Sequence, residues 1–177
     1  MLQMRPHAKT VAALLAPGLL LTACTATGNA PPSPSPDDVI KAATQKLTGG
    51  CLARQGLTPP RPGQPTPSSA EQRRVSDALF GSGEAELSIR LPTGYVVRAH
   101  TDGCLAAAQQ RLYGDQRRWF RTSVIVNNLE PEAEKTHRSL AEVRSRHRTE
   151  IAEWQRLRAH AFAEATSLLT AKGNPST

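Results

Sequence analysis

The sequence predicts an α+β fold that is mainly helical, with helices clamped by one disulfide, a single β-hairpin and a long C-terminal helix. Three observations predict it. Beyond position 36, most apolar residues recur at three- and four-residue steps, the period of a helix with one buried face. Residues 86–91 alone alternate cleanly between apolar and polar, and a Pro-Thr-Gly joint leads from them into a second short apolar run. Two cysteines, Cys51 and Cys104, fall on the apolar stripes of separate helices. The 177 residues allow one domain. Hydrophobic residues make up 38% and aromatic ones only 4%, so the core is thin, built from Ala and Leu, and gains from a covalent staple.

The chain opens with Arg5 and Lys9 and no acid, followed by an apolar run from Val11 to Leu21 that Pro17-Gly18 interrupts. A basic start and about 7–15 apolar residues make a secretory signal; a membrane span needs about 20. Leu21-Thr22-Ala23-Cys24 resembles the lipobox of bacterial lipoprotein precursors. The resemblance implies a diacylglycerol thioether on Cys24, removal of residues 1–23, and anchoring by acyl chains, each buried CH₂ contributing about 0.8 kcal/mol. No Arg-Arg pair precedes the run, which favours the general secretory route. The competing reading is an ordinary secretion signal with an accidental Cys. Loss of Arg5 and Lys9 lowers the formal charge of +7 by two. The expected organisation is a signal peptide at 1–23, a lipidated Cys24 with a Pro/Ser-rich tether to 36, one extracytoplasmic domain at 37–173, and a disordered tail at 174–177.

With Cys24 occupied by lipid, Cys51 and Cys104 are the two thiols left to an oxidising compartment, and two thiols allow one pairing. A redox or metal pair is the alternative; the chain has no Cys-x-x-Cys and neither cysteine has a neighbouring His.

Within the domain, Asp37-Asp38 offers a cap for a first helix whose stripe is Ile40, Ala43, Leu47 and Cys51. Gly49-Gly50 is expected to kink or restart it, each Gly costing about 1 kcal/mol, and Gly56 to end it. The proline-rich stretch 57–69 is a surface connection, with an extended peptide-ligand role as the alternative. Ser68 or Ser69 caps a helix over 70–80 with Val75, Leu79 and Phe80 inward. In the hairpin Leu87, Ile89 and Leu91 share a face, and residues 95–100 return against them through Pro92-Thr93-Gly94, with Gly94 left-handed. Thr101-Asp102-Gly103 caps a helix carrying Cys104, Leu105, Ala108 and Leu112, stopped by Gly114. Asp115 starts another, with Trp119, Phe120, Ser123, Val126 and Leu129 as its stripe. The longest element runs from Pro131 at N1 to about Ala171, with a stripe from Leu140 to Leu168, a polar kink near 144–148, and wet-face pairs Glu134/Arg138 and Glu142/Arg146.

Motifs that carry chemistry are scarce. The chain contains no His-Glu-x-x-His, Gly-x-Ser-x-Gly, phosphate-binding Gly loop or Ser-x-x-Lys setting of the penicillin-binding kind, so no catalytic residue, metal site or cofactor is expected. His100 and Asp102 could form an acid–base pair; a cap at Asp102 and a surface histidine are the preferred reading. His137, His147 and His160 are too far apart on one helix to share a metal. Arg144, Arg148 and Arg158, within a basic run that includes Arg146 and Arg156, form a candidate cationic ridge for an anionic ligand. A solvated face balanced by Glu142, Glu150 and Glu153 is preferred over it.

Two stretches, Cys51-Leu-Ala-Arg-Gln-Gly56 and Asp102-Gly-Cys-Leu-Ala-Ala-Ala-Gln-Gln-Arg-Leu-Tyr-Gly-Asp115, together resemble a loose group of actinobacterial secreted proteins and lipoproteins of unknown function. The abundance of Arg, Ala and Pro matches a GC-rich genome of that kind. The resemblance covers about half of the mature chain and implies disulfide-linked helices at the cell surface. It departs at the C-terminal part, where the group carries a Trp followed by another Cys and Trp154 has none after it. The expected role is a non-catalytic interaction or structural module on the outer face of the cytoplasmic membrane. Its partners would be the membrane, through the lipid, and an envelope protein or anionic polymer; nucleic acid is not expected. The alternative is a binder of an anionic ligand or acidic partner through the Arg-rich face.

Overall fold

A computed structural model describes residues 33–58, 63 and 67–171. The signal segment, Cys24, the tether up to position 32, most of the proline-rich loop and the 174–177 tail lie outside the described residues. The elements are α1 (Pro36–Arg54), α2 (Ser69–Phe80), β1 (Leu87–Arg90), β2 (Val96–Ala99), α3 (Gly103–Tyr113), α4 (Gln116–Val126), α5 (Leu129–Thr136), α6 (Leu140–Arg146) and α7 (Arg148–Thr170). The fold is α+β and mainly helical, with one antiparallel hairpin, a long C-terminal helix and a Cys51–Cys104 disulfide.

Ser35, rather than the expected Asp37-Asp38, caps α1. Its hydroxyl accepts from the Asp38 N–H at 3.2 Å and the Asp38 carboxylate accepts from the Ser35 N–H at 3.2 Å, with Pro36 at N1. Gly49-Gly50 does not break the helix. The turn beyond them holds Leu52, 2% exposed, and Cys51, bonded to α3, and these offset the propensity cost. Gly56, at φ +69°, ends α1 in a Schellman motif: Leu57 N–H donates to the Leu52 carbonyl and Gly56 N–H to that of Ala53. Leu57 and Leu52 then pack together, as that motif requires.

Helices α1, α3 and α7 pack on one another around Ile40, Ala43, Leu112, Tyr113, Leu157, Ala161 and Ala165. A second, smaller cluster of Leu52, Leu57, Val75 and Cys104 docks α2 against α1 and α3. A third, of Ile125, Leu129, Ala133 and Val143, joins α4, α5 and α6 and receives Ile89 from the hairpin. In the hairpin Leu87 pairs with Ala99 and Ile89 with Val97, and Gly94 closes the turn at φ +92°. Leu87 and Leu91 are buried, as their alternation predicts.

Four expectations are corrected. Phe80, expected inward, is 55% exposed, because α2 ends there at Gly81. On α4 the fully buried residues are Gln116, Thr122 and Ile125, while Trp119, Phe120, Ser123 and Val126 are half-buried. The polar ones are buried with their bonds made: Gln116 donates to the His100 carbonyl at 3.0 Å and Thr122 to that of Arg118 at 2.9 Å. The long final helix is three helices. His137 adopts φ +52°, and Ser139-Leu-Ala-Glu142 then starts α6 with its own capping box. The break at His147 falls within the expected kink: His147 N–H closes α6 on the Val143 carbonyl, and the His147 carbonyl accepts from Ile151 N–H to open α7. Pro131 is the third residue of α5, still in the first turn, where its missing N–H has no partner to lose. Finally, Glu134/Arg138 and Glu142/Arg146 form no ion pairs among the described residues. Arg138 lies beyond the end of α5, and Glu142 is bound to Ser139.

Candidate functional site

Cys51, near the end of α1, and Cys104, in the first turn of α3, lie 5.6 Å apart at Cα, within the range a disulfide needs. Gln55, the C-cap of α1, donates toward the Cys104 sulfur at 3.4 Å, and Cys104 is 1% exposed. The bond ties together two helices of the main core and the edge on which α2 rests.

Between that edge and the hairpin sits a three-residue cluster. His100 Nδ1 lies 3.9 Å from Glu86 Oε2 and 3.7 Å from Asp102 Oδ1, and it is buried without a hydrogen-bond partner among the described residues. Asp102 is the N-cap of α3 but makes no side-chain cap bond. Its carboxylate is pressed against Gly81, where an added Cβ would come within 2.2 Å of Asp102 Oδ1. Glu86 Oε2 accepts from the Thr101 N–H at 2.8 Å, which holds its pKa below the ordinary glutamate value. The three donor atoms lie within 4.8 Å of one another. Chemically the cluster can ion-pair a protonated His100 with either carboxylate, or offer one nitrogen and two oxygens to a cation. Neighbourhood in the sequence brings out His100 and Asp102 but not Glu86. The hairpin register supplies the missing signal: Leu87 opposes Ala99, so the preceding Glu86 falls opposite His100.

The same capping chemistry that restrains Glu86 restrains Asp38 and Glu142. Side-chain and then backbone bonds from Ser35 and Ser139 hold those carboxyls below their ordinary values. A depressed folded-state pKa contributes stability that is present above the unfolded-state value and lost as pH falls through the folded-state value. The thermal midpoint is therefore expected to drop as pH falls below about 4, the ordinary carboxylate range. Replacing Asp38, Glu86 and Glu142 together by their amides should flatten that drop. A midpoint-against-pH curve unchanged by the triple replacement would sink this assignment.

The structure separates the candidate cationic ridge. Arg158 on α7 is paired with Asp37 of α1 and lies 4.5 Å from the Trp154 ring, so its charge ties two helices together. Arg144 and Arg148 are exposed and have no ion-pair partner among the described residues. Arg144 borders an open groove of about 350 Å³ with Leu140, Ile151 and Gln155. His147, on the stripe, is the side chain that matters at the kink: its Nε2 meets Glu132 Oε2 at 2.9 Å, and Glu132 is 6% exposed. That pair gives a buried carboxylate the partner it requires.

A larger cleft of about 460 Å³ opens between β1 and α4, with Arg117, Arg118 and Arg121 along one wall. The sequence reading did not single out these arginines, because only the packing of α4 on β1 sets them beside an apolar floor. Among the described residues no helix is long and apolar enough to cross a membrane. No family model, curated protein or solved structure matches the chain.

Proposed function

We propose that the chain is a lipoprotein of the bacterial cell envelope, held by acyl chains on Cys24. The folded domain would act as a non-catalytic interaction or structural module at the outer face of the cytoplasmic membrane. The observation that carries this reading is the Cys51–Cys104 bond, because disulfides persist in oxidising, extracytoplasmic compartments. Three further features support it: the lipobox resemblance, the resemblance to actinobacterial secreted lipoproteins, and a first helix that begins at Ser35 directly after the Pro/Ser-rich stretch. The expected result is that the N-terminal peptide of the native chain starts at Cys24 and carries diacylglycerol, read by mass spectrometry. Cys24→Ala should move the protein from the membrane fraction to the soluble one. An unmodified N-terminus elsewhere would overturn the reading.

The second reading is an anionic envelope ligand or acidic partner bound through Arg144, Arg148 and Arg158. The exposed guanidinium groups of Arg144 and Arg148, without an ion-pair partner among the described residues, favour it; the engagement of Arg158 with Asp37 and Trp154 removes the third member of the ridge.

A further inference from the structure

We propose that the cleft between β1 and α4 binds the head group of an anionic phospholipid, with the phosphate on Arg117 and Arg121. The glycerol and the roots of its chains would lie on the half-buried Ile89 and Phe120. The volume of about 460 Å³ falls within the ~300–1,000 Å³ of small-molecule sites.

The charge on the wall is available. Arg117 is exposed and has no ion-pair partner among the described residues. Arg121 reaches Glu150 only at 4.0 Å, and Arg118 reaches Asp115 at 3.3 Å and Glu153 at 3.8 Å. Glu150 and Glu153 are half-buried, so Arg118 stays with its two carboxylates, while Arg121, at the 4.0 Å limit of its pair, can turn with Arg117 to a phosphate and present planar, two-pronged sets of donors.

The apolar floor and Glu86 narrow the ligand class. A free phosphate would leave the exposed parts of Ile89 and Phe120 uncovered. A polyanion filling the cleft would meet Glu86, which also lines it and whose carboxylate is fixed by the Thr101 N–H. One phosphate with an apolar remainder uses the arginines and the floor and avoids the acid. The choice of a lipid as the source of that chemistry rests on the membrane anchoring proposed above, which keeps the domain within a tether's length of head groups.

The test is calorimetric titration of the purified, oxidised chain with dihexanoyl phosphatidylglycerol below its micelle concentration. Parallel titrations use dihexanoyl phosphatidylcholine, glycerol phosphate and polyglycerol phosphate. Saturable binding of the phosphatidylglycerol, at least about tenfold tighter than each of the other three, is expected, because phosphatidylcholine has no net negative charge and the two glycerol phosphates have no acyl chains to cover the floor. Arg117→Ser with Arg121→Ser should weaken it by about tenfold or more, and Arg144→Glu with Arg148→Glu should leave it unchanged. Equal binding of phosphatidylcholine, equal binding of glycerol phosphate, tighter binding of the polymer, or loss only in the Arg144/Arg148 variant would each overturn the proposal. Should the first double variant lose its thermal midpoint, Arg117→Ser alone decides, because that side chain is exposed and makes no ion pair among the described residues. The titration uses no membrane, so it reports on the cleft even if Cys24 proves unmodified, and the N-terminal mass reports on the anchor alone.

Discussion

Replacing Cys51 and Cys104 together by alanine is expected to lower the unfolding free energy by about 4 kcal/mol, read by urea denaturation against the oxidised chain. The bond spans 53 residues, and in the chain-entropy model a loop of that size removes about 4 kcal/mol of disorder from the unfolded ensemble. The location sharpens the expectation. Among the described residues the cluster beside the bond has four buried members, Leu52, Leu57, Val75 and Cys104, with Ala78 and Leu79 half-buried against them, so α2 is held by a small patch. Amide exchange in the reduced chain should therefore rise first in α2 and in the last turn of α1, and later in α7. A loss below about 1 kcal/mol, or equal loosening of all helices, would mean that packing alone positions these elements and the bond is incidental.

The readable parts of this fold were those governed by local chemistry. Pro92-Thr93-Gly94 and the alternation of residues 86–91 specify the hairpin without help from the rest of the chain. Gly56 and Gly114 mark helix ends because a left-handed backbone is needed there. Ser68 and Asp115 are caps in the sequence and in the structure.

The misread parts were those where a tertiary contact or a competing local signal won. The stripe from Leu140 to Leu168 suggested one helix with Pro131 at its head. It hid Ser139-x-x-Glu142, a capping box visible in the sequence and stronger than the apolar period that ran through it. Gly49-Gly50 suggested a break, yet the covalent tie at Cys51 and the burial of Leu52 lie outside what propensity can register. On α4 the buried Gln116 and Thr122 look like solvent-facing residues until their backbone acceptors are known. The candidate sites follow the same division. Cys51 and Cys104 could be paired by counting. The cleft arginines and the Glu86–His100–Asp102 cluster required knowing which strand faces which helix, and which residues oppose each other across the hairpin.

Leu112→Ala is expected to lower the unfolding free energy by about 3–5 kcal/mol, near the upper end for leucine truncation. Leu112 is 0% exposed where α1, α3 and α7 meet. Three of the residues that share its cluster are Ala43, Ala161 and Ala165, each 0% exposed. Alanines let the three helices approach closely, but they carry no rotatable atoms that could swing into a void, so the cavity would stay open. For a domain of ordinary stability, about 5–15 kcal/mol, this single change removes a large share. It should also add to the loss of the disulfide. Leu112 and Cys104 are separated by about 12 Å along the axis of α3 at 1.5 Å per residue, and they belong to different clusters. Sites that far apart without shared partners combine within about 0.5 kcal/mol. The chain lacking both the bond and the leucine should accordingly be about 7–9 kcal/mol less stable and largely unfolded at physiological temperature. A double-mutant cycle in urea measures this. A coupling well above 0.5 kcal/mol would show that the two clusters behave as one core.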